Sequence, residues 1–359
     1  MKKVCAILMA VCLLLAGLCP ALAEEKTYTI GICQLAPHPA LDAATKGFRD
    51  FLTEKLGDQV TFIENNAAGE AANCTLIMNN FLAENVDLIM ANATGALQAA
   101  QSATGDIPVL GTAVTDYGVA LDLTCVDGKT GVNISGTSDL APLDQQAAMI
   151  KELFPEAKEI GLLYCSGEAN SAYQIEVMTQ ELTKLGFHCT EFAFSDSSDV
   201  ASMTSTACQT SDVIYVPTDN TAASCTEAIR NVVEVEKVPV VAGEEGICSG
   251  CGVTTLSISY YELGRITGEM AFEVLCEGAD ISQMAIRYAP TTAKKYNAEL
   301  CAALGIGINE FLSGDDIAEN DLPRRAEENI LQTAADGKRR QKRLKCMVAA
   351  LLIVSAAAL

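Results

Sequence analysis

One stretch constrains the fold of this 359-residue chain more than any other: residues 159–173, EIGLLYCSGEANSAY. Ile160, Gly161, Leu162, Leu163 and Tyr164 make a short, nearly continuous apolar run of the kind shown by a strand buried on both faces. The run ends directly in the polar turn Ser166-Gly167-Glu168-Ala169-Asn170-Ser171, after which a helical pattern begins. A polar turn between a buried strand and a helix belongs to an open parallel α/β sheet. There, strand ends, free backbone N–H groups and helix N-termini converge on the edge that binds ligands.

The same arrangement recurs along the chain. TYTIGIC, VTFIEN, VDLIMAN and IPVLGTAV read as strands, separated by amphipathic helices over 40–56, 71–85 and 95–103. Such spacing implies βαβ units. The segment 117–139 has turn signals at Asp127-Gly128 and Ser135-Gly136 and no helical period, so it reads as a crossing between lobes. The alternation then resumes: a helix over 143–153 ended by Pro155, the strand IGLLYC, a helix over 169–185, FHCTEFAF, a helix over 199–208, DVIYVPT, a helix over 222–236, VPVVAG and VTTLSI. A long helix over 260–278 is expected to pack back on the first lobe. The expected fold is α/β, two doubly wound parallel-sheet lobes joined by a hinge, with a small-molecule cleft between them. Lobe 1 covers 24–120 and is completed by about 259–311; the hinge crossing and lobe 2 cover 121–258. Scarce aromatic residues and the absence of Trp argue against a sandwich of long aromatic strands.

The ends read differently. Lys2, Lys3, an apolar run over 4–18 and Ala21-Leu22-Ala23 predict a signal peptide over 1–23, hence export to the periplasm or the outer face of the bacterial cytoplasmic membrane. The run is short for a membrane span. Cys19 follows Leu15-Ala16-Gly17-Leu18, which loosely resembles a lipoprotein box; Leu18 is bulky for that role, and cleavage after Ala23 is preferred to a lipid anchor at Cys19. Residues 312–337 read as a polar linker. Residues 338–359 form a basic run followed by a short apolar tail, a second place for membrane association. All 46 acidic residues lie between Glu24 and Asp336, and the net charge of −22 excludes nucleic acid as a partner.

Of 15 cysteines, only Cys248 and Cys251 form a close pair. A zinc site needs further ligands, and His38 and His188 are the only histidines, so a local disulfide or two free thiols are the readings for this pair. No metal, no cofactor and no catalytic residue is expected.

Polar turns follow the strands of both lobes: 34–39, 92–95 and 115–117 in the first, 166–171, 217–220 and 243–245 in the second. Together they suit a zwitterion. The hydroxyls of Thr94 and Ser171 and helix-start N–H groups would take a carboxylate, and Asp219, Asp116 or Glu168 an ammonium. For each turn singly, capping of a helix start explains the same residues. His38, between Pro37 and Pro39, suits a pocket wall or a rigid surface turn. Tyr117, Tyr164, Tyr173 and Tyr215 are candidate stacking surfaces for an aromatic side chain.

Six ordered stretches carry a family resemblance: IGICQLAPHPALDAATKGFRDFL, NATGALQAA, IPVLGTAVTDYGVA, LFPEAKEIGLLYCSGEANS, VIYVPTDNT and SYYELGRITGEMA. Over about 28–306 the chain resembles the ABC transporter substrate-binding proteins of the tryptophan and tyrosine uptake type. The resemblance implies a type I periplasmic-binding fold, no catalysis, closure on an amino acid, plausibly aromatic, and delivery to an ABC permease and its ATPase. Carried over by position, its ligand contacts fall on Gln34, His38, Thr94, Gly95, Thr115, Asp116, Glu168, Ala169, Asn170, Ser171, Asp219 and Asn220. The chain departs from the family where Thr94-Gly95 stands in place of Thr-Pro and Asp116-Tyr117 in place of Asp-Pro. Two alternatives are a ligand-sensing domain of a membrane receptor and a small-molecule enzyme on the same fold, with Cys33 or Glu168 as acid or base. The enzyme reading lacks a nucleophile and base at recognisable spacing, a dinucleotide fingerprint or a P-loop.

Overall fold

The computed structural model describes residues 26–307. The signal peptide, Cys19, the polar linker and the basic and apolar tail expected from the sequence lie outside the described residues. In chain order the elements are β1 (Tyr28–Gln34), α1 (Pro39–Leu56), β2 (Val60–Asn66), α2 (Ala71–Glu84), β3 (Leu88–Asn92), α3 (Thr94–Ala103), β4 (Val109–Val114), α4 (Tyr117–Leu121), β5 (Ile134–Ser138), α5 (Leu143–Leu153) and β6 (Glu159–Cys165). There follow α6 (Ala169–Lys184), β7 (His188–Phe194), α7 (Val200–Cys208), β8 (Val213–Val216), α8 (Asn220–Ser224), α9 (Thr226–Glu236), β9 (Val240–Ala242), α10 (Glu245–Cys251), β10 (Thr254–Ile258), α11 (Tyr260–Glu277), β11 (Arg287–Tyr288), β12 (Thr292–Tyr296) and α12 (Ala298–Leu304). The chain divides into two compact units, the first made of residues 26–37, 41–139 and 260–289, the second of 38–40, 140–259 and 290–307.

The sheet of the first unit has the order β11-β5-β4-β3-β1-β2 and is parallel throughout. Its central strands β3 and β4 are buried at every residue, as their mostly apolar sequences favour, whereas the edge strand β2 is partly exposed. Ile30, Ile32, Leu88, Met90 and Leu110 of the sheet meet Phe48 and Leu52 of α1 and Met270 and Ala271 of α11 in one core. Helix α11 thus packs with the first unit. Its contact with α1 is backbone to backbone: a Cβ on Gly264 would stand 1.9 Å from Ala44 O, and one on Gly47 would stand 2.0 Å from Tyr261 O.

Residues 117–139 are not an unstructured crossing; they form α4 and β5 and belong to the first unit. The turn at Asp127-Gly128 is present, with positive φ at both residues, 51° and 73°. Ser135-Gly136, expected as a second turn, lies inside β5. The sequence ISGTS conceals this strand because it has no apolar run. Its hydroxyls are satisfied by distant partners: Thr137 Oγ1 lies 3.1 Å from Thr112 Oγ1 and 2.8 Å from Thr267 Oγ1, and Ser135 donates to Met284 O at 3.0 Å. Gly136 has φ +144°, and a Cβ there would lie 2.0 Å from Gly111 O, so the close approach of β4 and β5 requires glycine.

The sheet of the second unit has the order β12-β10-β9-β8-β6-β7, parallel except for the edge pair β10–β12. Side chains alternate between its faces with period two. Leu163, Ile214 and Val216 join a core with α7, α9 and α10, while Ile160, Leu162, Val213 and Tyr215 join another with α5 and α6. The stretch expected over 259–311 to complete the first lobe therefore splits. Residues 290–307 stay with the second unit, because β12 pairs with β10 and Leu300 and Cys301 of α12 pack on Val253. The helix expected over 222–236 is two helices broken at Cys225, and α10, unexpected, contains Cys248 and Cys251 as buried free thiols.

Candidate functional site

In the first unit the sequence-predicted residues sit at the carboxyl ends of β1, β3 and β4. Gln34 closes β1 and is buried. Its Nε2 donates to Asp42 Oδ1 at 2.7 Å and Ala36 O at 2.9 Å, and its Oε1 accepts from Thr45 Oγ1 at 2.7 Å. Asn92, the last residue of β3, donates through Nδ2 to Thr45 Oγ1 and Leu41 O, each at 2.9 Å, and its Oδ1 is buried with no partner among the described residues. These amides fix where the strand ends stand relative to α1.

Thr94 and Gly95 open α3, whose N-terminus has no side-chain cap. The preceding Ala93 has φ 87° and ψ 161°, a region that suits glycine, and Ala113, two residues before Thr115, has φ 52°. Strain of this kind, about 1–3 kcal/mol each, is held by the surrounding structure and gathers at ligand-binding turns.

Thr115 donates to Asp139 Oδ1 at 3.0 Å, and Asp139 Oδ2 accepts from Tyr260 at 3.0 Å. Burial pushes the Asp139 carboxyl above its ordinary range, against the pull of these two hydroxyls. Asp116 caps α4, accepting from Val119 N–H at 2.8 Å.

In the second unit the residues form one connected cluster at the ends of β6 and β8. Glu168 precedes α6 but does not cap it. Its carboxylate reaches the start of α8 instead, accepting from Asn220 N–H at 3.0 Å, Asn220 Nδ2 at 2.7 Å, Thr221 N–H at 2.8 Å and Thr221 Oγ1 at 2.7 Å. Asn170 donates to Thr218 O at 3.0 Å and to Glu168 Oε2 at 3.2 Å, and its Nδ2 lies 3.3 Å from Ser171 Oγ. Ala169 supplies the first turn of α6. His38, counted with this unit, is buried, with Nε2 3.3 Å from Asn220 Oδ1.

Asp219 is 1% exposed and caps α8. Cys165 N–H and Ala222 N–H each donate to it at 2.7 Å, one to each oxygen, and the Ser171 hydroxyl bonds to it as well. Burial first, then the charge of Glu168, pushes its carboxyl up to about 7, against those hydrogen bonds. All three carboxylates proposed to take an ammonium are thus also engaged at helix starts, Asp116 and Asp219 on their own helices and Glu168 on another.

Among the tyrosines, Tyr117 and Tyr215 are core residues with engaged hydroxyls, to Thr137 O at 3.2 Å and Gln146 Oε1 at 2.7 Å, and offer no stacking face. Tyr164 and Tyr173 are half-buried.

Several structuring residues escaped the sequence reading: Thr45, Asp139, Gln174 and Thr221. Gln174 donates to Asn170 O and Thr218 O and accepts from Thr218 N–H, each at 3.1 Å. Its signal was available, since it shares the buried stripe of α6 with Asn170, Ile175, Met178 and Leu182, and an amide on such a stripe has bonding work to do.

Comparison with known proteins supplies the context for this geometry. The family model described as ABC transporter substrate binding protein matches residues 29–316. A protein of Clostridioides difficile named tyrosine-binding protein is 36% identical over 297 residues, covering 82% of this chain and 85% of that one. The structure of an ABC domain from Streptococcus pneumoniae in complex with L-Trp matches with TM-score 0.76 at 32% identity, over 82% of this chain and 98% of the other. A ligand-free, open substrate binding protein with adhesive properties from Clostridium difficile matches with TM-score 0.61 at 36% identity, over 78% and 96% of the two chains.

Proposed function

Because this chain belongs to the family of ABC transporter substrate-binding proteins, we propose that its ligand is a free aromatic amino acid, tyrosine or tryptophan, passed unchanged to a permease and its ATPase. The protein is a binding protein of the type I periplasmic-binding fold, not an enzyme, and works outside the cytoplasm. The observation that carries the ligand class is the pair of relatives above 30% identity, one named for tyrosine and one solved with L-Trp.

Gln34, Thr94, Gly95, Thr115 and Asp116 in the first unit, and His38, Glu168, Ala169, Asn170, Ser171, Asp219 and Asn220 in the second, are the proposed ligand contacts. Polar turns at strand ends offer N–H and hydroxyl donors for a carboxylate, and carboxylates beside them balance an ammonium. Half-buried Tyr164 and Tyr173 are the proposed apolar surfaces for the ring.

Titration calorimetry with tyrosine, tryptophan, phenylalanine and leucine tests this reading. One-to-one binding of an aromatic amino acid, recovered intact afterwards by chromatography, is expected; absence of heat with every aromatic amino acid would refute it. The proposal includes removal of residues 1–23 on export, with membrane attachment through Cys19 as the competing processing route. The intact mass of the mature protein distinguishes a chain beginning at Glu24 from one beginning at an acylated Cys19.

A further inference from the structure

Gln174 stands on α6, one turn beyond Asn170, and is 1% exposed. Its Nε2 donates to Asn170 O and to Thr218 O, and its Oε1 accepts from Thr218 N–H, each at 3.1 Å. One side-chain amide from a neighbouring helix thus holds both the N–H and the carbonyl of Thr218. Thr218 O also accepts from Asn170 Nδ2 at 3.0 Å. Strand β8 ends at Val216, Pro217 and Thr218 follow, and Asp219 and Asn220 come directly after them. Beyond the strand ladder, the path of this turn depends on side-chain partners. The turn after β9 packs against the same residue: Gly243 N–H donates to Val216 O at 2.7 Å, and a Cβ on Gly243 would stand 2.6 Å from Thr218 N.

We propose that Gln174 is a positioning residue: it fixes the turn that carries Asp219 and Asn220 against the turn that carries Asn170, and so sets ligand affinity without touching the ligand. The inference rests on the proposed role of those three residues as ligand contacts. The Gln174 amide donates to two carbonyls and its side chain is closed off from solvent, which leaves it to act through its neighbours. Only an amide meets the requirement for a donor and an acceptor side by side. A carboxylate of the same shape would keep the acceptor for Thr218 N–H but set a negative oxygen against the carbonyls of Asn170 and Thr218. A methionine would leave all three backbone groups without this partner. In either case Thr218 is released, and Asp219 and Asn220 lose the fixed geometry that recognition of a polar ligand needs.

The test compares the full-length wild type with Gln174→Glu, Gln174→Met and, as a variant destabilised elsewhere, Gly278→Ala, by thermal melting and by titration calorimetry with tyrosine and tryptophan. Both Gln174 variants are expected to bind about tenfold or more weakly than wild type, while Gly278→Ala melts lower and binds as tightly as wild type. The affinity of Gln174→Glu should recover between about pH 7.5 and about pH 5, as the new carboxyl, raised by burial, gains a proton and again donates to a carbonyl. Gln174→Met should show no such recovery, which separates it from any response of Asp219 or Glu168. Wild-type affinity in a folded Gln174 variant, or an equal loss in Gly278→Ala, overturns the positioning role alone. Absence of binding by the wild type refutes the ligand reading and this inference with it. If neither Gln174 variant folds, the side-chain amide resonances of Gln174 in the wild type decide: a shift on adding the amino acid is expected, and unmoved resonances overturn the proposal.

Discussion

Asp139 is the last residue before the chain leaves the first unit and Tyr260 the first on its return, and the Tyr260 hydroxyl donates to Asp139 Oδ2 at 3.0 Å inside that unit. The long excursion through the second unit therefore begins and ends at one buried hydrogen bond. Tyr260→Phe should cost about 1–3 kcal/mol, the range for leaving a buried acceptor short of a donor. Urea unfolding with an unchanged m-value would report it, and a variant as stable as wild type would show that the bond contributes nothing.

The pH dependence of stability should carry the mark of Asp219. Its folded carboxyl is raised from 3.8 to about 7, so the folded state holds this proton more tightly than the unfolded chain. The contribution is complete below the ordinary aspartate range and is lost as pH rises toward 7, with a size on the order of a few kcal/mol. Asp139, also raised, acts in the same direction. Chemical unfolding across that window should show the decline. Asp219→Asn should flatten it while lowering stability throughout, because an amide nitrogen would then face the N–H of Cys165 or Ala222.

Glu168→Gln tests the reach from the start of α6 to the start of α8. A glutamine keeps one acceptor oxygen, so either the Asn220 or the Thr221 pair of donors loses its partner, at about 1–3 kcal/mol. Since the Glu168 charge helps to raise Asp219, the Asp219 pKa should fall in this variant, read from its carboxyl carbon in an NMR titration. An unmoved Asp219 would mean that burial alone accounts for it.

Gly264→Ala should destabilise the first unit by about 2–3 kcal/mol, because the added methyl meets the backbone oxygen of Ala44 and two helix backbones must part. Calorimetry would show a lowered midpoint. Gly278→Ala should cost for a different reason, its φ of +72° with nothing crowding a Cβ.

What the sequence made legible follows from where the stabilising partners lie. Strands β3, β4, β6 and β8 are mostly apolar because both faces are largely covered, and that is written locally. Strand β5 is written as serine, glycine and threonine, and its burial depends on Thr267 and Met284, which lie far along the chain. Strand β12 contains Lys294 and Lys295 and sits at an edge, where charge is tolerated. The same division holds among the candidate contacts. Asp116 and Asp219 are legible as caps from their own helices, but nothing near Glu168 announces that its carboxylate serves Asn220 and Thr221.

The interleaving of the two units sets the order in which a growing chain can mature. On a ribosome, β1 to β5 emerge long before Met270 and Ala271, which cover their apolar face, and β11 arrives later still. The amino-terminal half must therefore wait with a greasy surface unsheltered until about three-quarters of the polypeptide has been made. The unit that starts first is finished only just ahead of its partner, whose last strand and helix follow β11 directly.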